Sequence, residues 1–143
     1  MMVSSSAPFV FVAAGVLIDE HNRVLLAQRP KGKPMAGLWE FPGGKVRPNE
    51  RPEDALVREL AEELGLTVSP DRLTPLTFAS HRYPDFHLFM PLFSCRSWKG
   101  EPTALENQTL AWADPTTWSR YAMAGADLSV LPLLARLIGE PCP

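Results

Sequence analysis

Three glutamates, Glu59, Glu62 and Glu63, fall within five residues of strongly helical sequence, downstream of a Gly43-Gly44 pair. On a helix, positions three and four apart share a face, so Glu62 and Glu63 both lie beside Glu59. Carboxylates crowded in this way repel one another unless a positive charge sits among them. Hard divalent cations such as Mg²⁺ are matched to oxygen ligands of this kind and are commonly shared with substrate phosphates. An acidic run is equally the mark of a solvated helix face, so the surrounding sequence has to decide.

The segment that carries the glutamates reads as a helix over residues 52–64. Pro52 suits its first turn, because the fixed φ is already helical and the missing N–H would be unpaired there. Glu53 and Asp54 place negative charge where the helix dipole favours it, and Gly65 is the C-terminal stop. Leu56, Leu60 and Leu64, with Val57 and Ala61 beside them, form an apolar stripe to be buried. The glutamates fall off that stripe, so the helix is expected to pack by its leucines and present its carboxylates to a cleft or the surface. Arg51 occupies the expected N-cap without a side-chain acceptor, and Asn49 is the alternative cap for an earlier start.

Gly44, Glu50 and the run Arg58-Glu59-Leu60-Ala61-Glu62-Glu63-Leu64-Gly65-Leu66 match the Nudix box at every specified position over 23 residues. A match of that length is far more specific than a short glycine motif. The preceding Trp39-Glu40-Phe41-Pro42-Gly43-Gly44-Lys45 resembles the MutT branch of that family. The resemblance runs outward through Gln28-Arg29, Gly100-Glu101-Pro102 and Glu106-Asn107-Gln108. It implies an α/β fold, the Nudix α/β/α sandwich with a mixed β-sheet between helices. It also implies an enzyme: a Mg²⁺-dependent hydrolase, with Mn²⁺ as a substitute ion, that splits a nucleoside triphosphate into monophosphate and pyrophosphate. The implied metal ligands are the Gly43 carbonyl, Glu59, Glu62 and Glu63, with Gly44 and Glu50 behind them and Arg58 orienting the glutamates. Either Glu59 or Glu106 would activate water, and Arg29 and Lys45 would contact phosphates.

By the same resemblance Phe41 and Tyr83 line a base pocket, and Asp127 stands where the branch has a base-reading asparagine. That is a departure, because an amide donates and accepts whereas an ionised carboxylate only accepts. A protonated Asp127, its pKa raised by apolar burial, would serve the edge of 8-oxo-guanine. An ionised one would suit the N4 amino group of cytosine. Asp127 also directly precedes Leu128 and is placed to cap the closing helix instead. The substrate readings are therefore 8-oxo-dGTP, removed from the nucleotide pool that serves DNA replication and repair, or CTP/dCTP. A non-catalytic Nudix-fold recognition module would need the pocket but not the glutamates, all of which are present.

The remainder of the chain must hold these groups in place. Its 143 residues suit one domain over residues 9–140, behind a short disordered tail at residues 1–8 that lacks the basic start of a signal peptide. A net charge of −2 gives no electrostatic ground for binding nucleic acid or an anionic membrane, so positive charge for a polyanionic substrate must be local. No apolar run reaches the roughly 18 residues of a membrane span. A cytoplasmic location follows, with Cys95 and Cys142 as free thiols. Residues 9–18 form a near-continuous apolar run suited to a strand buried on both faces, joined by residues 19–22 in a hairpin to a strand at 24–28. Further strands are expected at 39–41, 73–80, 86–96 and 110–113, with Pro91 marking an edge strand or a bulge. An amphipathic helix at 128–138 closes the chain. Trp98, Trp112 and Trp118 are expected in packing, and His81 and His87 have no metal-ligand spacing with either cysteine.

Overall fold

The computed structural model describes residues 7–139. Residues 1–6, most of the expected tail, and Cys142 lie outside them. Pro8, within the span expected as tail, is tied to the sheet: its carbonyl accepts a hydrogen bond from the His87 N–H at 2.9 Å.

The apolar run that opens the chain forms β1 (Phe9–Leu17), followed by β2 (Val24–Gln28), β3 (Trp39–Glu40) and β4 (Gly43–Lys45). The acidic segment is α1 (Pro52–Leu64), and β5 (Thr74–Arg82), β6 (His87–Cys95) and β7 (Thr109–Ala113) complete the strands. Two helices close the chain, α2 (Gly125–Leu128) and α3 (Leu131–Gly139). The strands form a mixed sheet ordered β4-β1-β6-β5, with β1 and β6 parallel, and an antiparallel sheet ordered β3-β2-β7. The α1 helix covers one face of the mixed sheet, burying Leu56, Leu60 and Leu64 against Ala13, Leu17, Phe93 and Cys95. The opposite face carries a second core of Ala14, Val16, Met90 and Leu92, into which Ala126, Val130 and Leu134 pack from the C-terminal helices. Helices on both faces of a mixed sheet make the expected α/β/α sandwich.

Local chemistry accounts for the bounds of α1. Pro52 opens it, and Gly65 ends it in the left-handed region at φ 70°, with the Leu66 N–H reaching back to the Leu60 carbonyl at 3.2 Å. Arg51 is the N-cap and makes no capping bond; its Nε pairs instead with Asp54 at 2.9 Å. Asn49 does not cap. It sits at φ 65° in the turn closed by Glu50 N–H to the Arg47 carbonyl, a conformation asparagine tolerates better than most residues.

Four expectations are corrected by tertiary context. The first two strands do not form a hairpin: apart from an isolated Ile18–Val24 bridge they diverge into different sheets. The tight turn survives because both Asp19 carboxylate oxygens are engaged, by the His21 and Arg23 N–H groups and by Arg23 Nε. Burial of β1 on both faces begins only at Ala13, since Phe9 and Phe11 extend past the cover of α1 and stay exposed. Pro91 does not mark an edge, because β6 lies between β1 and β5. Its missing N–H falls in a gap in the β1–β6 pairing, between Phe11–Phe89 and Ala14–Leu92, and the expected bulge lies across the sheet in β5, between Pro75 and Thr77. Finally, the closing helix is interrupted. Pro132 has no N–H to bond the Leu128 carbonyl, so the chain makes the one turn of α2 and restarts at Leu131.

Because Leu60 is fully buried where α1 meets the sheet, Leu60→Ala is expected to cost about 2–5 kcal/mol in urea unfolding. A loss below about 1 kcal/mol would mean that α1 is not held by its leucine stripe.

Candidate active site

Arg58 joins the acidic helix to the glycine strand. Its Nε and Nη2 bond the two oxygens of Glu50, each at 2.9 Å, in the bidentate geometry that makes Arg–carboxylate pairs strong. Nη1 donates to Glu59 Oε1 at 2.8 Å and Nη2 to the Lys45 carbonyl at 3.0 Å, while Glu62 Oε2 stands 3.6 Å away. Hydrogen bonding to Arg58 and to the Arg47 N–H lowers the Glu50 pKa to about 2. Bonding to Glu50 in turn pushes Arg58 well above its ordinary value.

The two glycines serve this arrangement separately. Gly43 pairs with Ala14 across β1, and a Cβ there would meet the Ala13 carbonyl oxygen at 2.1 Å. A Cβ on Gly44 would instead meet the Glu59 carboxyl carbon at 2.3 Å, so this carboxylate lies where any other residue's side chain would begin. Only glycine permits the first approach without moving backbone, and only glycine leaves Glu59 in place.

Glu63 points into a cavity of about 440 Å³ whose lining includes Gln28, Arg29, Lys33, Glu40, Gly43, Glu106 and Gln108. Burial, then the neighbouring charges of Glu59, Glu106 and Glu40, raises the Glu63 pKa far above the carboxylate range. Glu59 stands close enough to Glu63 to disfavour its ionised form, a repulsion that a cation between them would relieve. All of the donors are oxygens, and a hard divalent ion fits them. Among the described residues no three acidic, histidine or cysteine side chains stand as a ready ligand set; Arg58 bonds Glu59 at 2.8 Å and has Glu62 at 3.6 Å. Glu106 reaches the cavity from the loop before β7. That loop is tied to α1 by the Gln108 Nε2 bond to the Glu63 carbonyl at 3.1 Å and the Leu105 N–H bond to the same carbonyl at 3.1 Å.

A second, smaller cavity of about 190 Å³ opens beside the first and is lined mainly by apolar side chains, including Phe41, Tyr83, Phe86, Leu88 and Met90. Asp127 lies in its wall and is only 4% exposed. It does not cap the closing helix. It falls inside α2, and its Oδ1 accepts the Phe41 backbone N–H at 3.0 Å, linking α2 to the end of β3. Burial raises its pKa to about 7 against the lowering effect of that bond. The Tyr83 hydroxyl accepts the Ala126 N–H at 3.2 Å, which fixes the ring over the same cavity.

The structure thus brings Glu63, Glu106, Gly43 and Arg29 to one cavity, and Phe41, Tyr83 and Asp127 to the other; Glu59 lines neither and lies over Gly44, held by Arg58. Lys45 lines the apolar cavity and not the acidic one, where the lysine present is Lys33. Glu62 is half exposed and faces Arg58. Sequence reasoning did not single out Glu40, Lys33 or Met35 as lining residues. Glu40 stood next to Phe41 in the matched segment, but nothing in its spacing says that it faces inward. The residues set aside stay outside both cavities: His87 Nε2 is 2.8 Å from Ser80 Oγ, Trp98 and Trp112 stack at 6.1 Å, and Trp118 Nε1 donates to the Ala113 carbonyl. Cys95 is a buried free thiol.

Comparison with known proteins agrees with this geometry. A NUDIX domain model matches residues 13–133. An 8-oxo-dGTP diphosphatase from Proteus vulgaris is 49% identical over 92 residues, covering 64% of this chain and 80% of its own length. A CTP pyrophosphohydrolase from Escherichia coli K12 is 37% identical over 129 residues, covering 80% of this chain and 84% of its own. Among solved structures, the MutT NUDIX hydrolase from Burkholderia pseudomallei superposes with a TM-score of 0.77 at 29% identity, covering 87% of this chain and 96% of that one.

Asp127 makes stability depend on pH in a defined direction. Its folded pKa of about 7 lies above the ordinary 3.8, so between those values the folded state binds more protons than the unfolded one. Stability therefore falls as pH rises through that window, by on the order of 4 kcal/mol for this group. Asp127→Asn keeps an acceptor for the Phe41 N–H but does not ionise. It is expected to remove that fall and to be the more stable protein at pH 8. Parallel urea-unfolding profiles for the two proteins between pH 4 and 8 would contradict the assignment.

Proposed function

Because this chain belongs to the NUDIX family and is a Nudix hydrolase, we propose that it is a Mg²⁺-dependent nucleoside triphosphate pyrophosphohydrolase acting on 8-oxo-dGTP. The observation that carries this reading is the joining of an acidic cavity to an apolar one, at a scale suited to triphosphate and base. In this reading a single domain over residues 9–140 acts on free nucleotides in the cytoplasm, upstream of DNA replication and repair. No helix among the described residues is long and apolar enough to cross a membrane.

The metal would be held by Glu59, Glu62, Glu63 and the Gly43 carbonyl. Bound there, it would supply the charge neutralisation on which phosphoryl transfer mainly depends. The side chains supply the rest. Arg58 orients Glu59 and is itself held by Glu50, so the carboxylate is presented without a search over rotamers. Glu59 and Glu106 are the two groups placed to take a proton from the attacking water. Arg29 and Lys33 offer positive charge in the cavity that Glu63 lines, and Lys45, in the lining of the apolar cavity, is placed nearer the nucleoside. Phe41 and Tyr83 give the base an apolar seat, with Asp127 reading its edge. Protonated, Asp127 presents both an O–H donor and an acceptor and so takes the role of an amide toward 8-oxo-guanine.

The same residue supports the second reading. Ionised, Asp127 would accept from the cytosine N4 amino group, and one relative is a CTP pyrophosphohydrolase. A Mg²⁺-dependent pyrophosphate-release screen over 8-oxo-dGTP, dGTP, dCTP, CTP and ADP-ribose separates the two. Preference for 8-oxo-dGTP is expected, and a strong preference for CTP would replace it.

Glu63→Gln is expected to lower turnover by at least about 100-fold while leaving the fold intact, and near-normal activity would sink the metal assignment. Gly44→Ala pushes on the carboxyl end of the Glu59 side chain and not on backbone, so stability should change by no more than about 1 kcal/mol. Its turnover should nonetheless fall by about tenfold or more, because Glu59 is displaced. Unchanged turnover would show that the position of Glu59 over Gly44 does not matter.

A further inference from the structure

The α1 helix ends at Leu64, and the last carbonyls of a helix have no partner within it. Here two of them hold a distant loop. The Leu105 N–H and Gln108 Nε2 both donate to the Glu63 carbonyl, each at 3.1 Å, and the Thr103 N–H donates to the Leu64 carbonyl at 3.0 Å. Gln108 makes a second bond: its Oε1 accepts the Glu106 backbone N–H at 2.8 Å. Asn107, between the two, sits at φ 61°, a left-handed conformation that asparagine tolerates. The chain turns there, and the Gln108 side chain comes back over the Glu106 N–H. One side chain thus grips the backbone of Glu106 at one end and that of Glu63 at the other.

Among side chains of this length, only an amide can make both bonds, because it accepts at one atom and donates from another. Glutamate would keep the acceptor for the Glu106 N–H but set a carboxylate oxygen against the Glu63 carbonyl. Lysine or arginine would donate to that carbonyl and lose the acceptor. Glu63 and Glu106 line the same cavity, and repulsion between two acidic groups favours a loop that carries the exposed Glu106 away. We propose that Gln108 is a positioning residue, its amide tying the Glu106 backbone to the end of α1 and so setting where the Glu106 carboxylate stands relative to Glu63. Gln108 acts on the reaction through Glu106 and not by touching the substrate, although it lines the cavity itself.

This inference rests on the reading of Glu106 as a group that acts on the reaction, and a double-mutant cycle separates the two. Pyrophosphate release is measured for wild type, Glu106→Gln, Gln108→Ala and the double variant, with whichever nucleotide of the screen above is turned over fastest. Gln108→Ala is expected to lower kcat by about tenfold and to leave KM within about threefold. In the Glu106→Gln background the same substitution should change kcat by less than about twofold, because nothing remains to be positioned. Gln108→Met, which keeps the bulk and loses both bonds, should match Gln108→Ala. Amide exchange by NMR reads the link without turnover: the Glu106 N–H should exchange about tenfold faster in both Gln108 variants, while the α1 amides keep their protection and show the fold intact. Additive losses in the double variant, a raised KM at unchanged kcat, or unchanged exchange at Glu106 would overturn the proposal and leave the role of Glu106 standing. Wild-type kcat in Glu106→Gln would instead remove the role of Glu106, and the proposal with it.

Discussion

The site is organised around one cation, Arg58. Its guanidinium satisfies both oxygens of Glu50, one of Glu59 and the carbonyl of Lys45. It thereby joins the acidic helix, the loop before that helix and the glycine strand at one point. Without it, α1 would bring Glu59, Glu62 and Glu63 together with no nearby positive charge and no reason to hold one geometry. With it, Glu59 is placed on the bare Cα of Gly44 while Glu63 is left facing the cavity. Lysine could supply the charge but not the planar fork that engages two carboxylates and a carbonyl together.

The crowding that remains is concentrated on Glu63. Its buried carboxyl group and its neighbours Glu59, Glu106 and Glu40 place more negative charge around one cavity than the described side chains neutralise. Such a site is costly for the apo fold and is relieved by whatever cation and polyanion enter it. The second cavity has the opposite problem. There the carboxyl group of Asp127 is buried among apolar side chains, which favours its protonated form, while the Phe41 N–H satisfies one of its oxygens. Two acidic sites therefore lie in one molecule, one lined by several oxygen donors and the other largely by apolar side chains around the buried Asp127. Only the Arg29–Glu40 pair and the Gly43 backbone separate them.

Much of this was legible in the chain. The start and stop of α1, its leucine stripe and the spacing of its glutamates are local properties, set by Pro52, Gly65 and helical periodicity, and the folded chain keeps them. The mixed sheet between flanking helices was implied by the Nudix resemblance, and the folded chain has it. What failed were judgements about partners. A tight turn after β1 looks like a hairpin whether or not the strands pair, because the turn chemistry of Asp19 is satisfied locally. Pro91 looks like an edge because its pattern cannot reveal that the pairing around it is already broken. Glu40 and Lys33 carry no signal in their spacing, since facing a cavity depends on elements far away in the chain.

The sequence alone determined the acidic helix, its fixed ends and the family to which a complete Nudix box assigns the chain, because each depends on residues within a few turns of one another. Only the tertiary structure decided what surrounds them. It placed Asp127 against the Phe41 N–H, 86 residues away, and not at a helix cap. It moved Lys45 to the apolar cavity and set Glu40 between the two compartments. The reason is physical: hydrogen bonding within a helix is local, whereas burial, and the protonation that follows from it, depends on which distant surfaces close over a group.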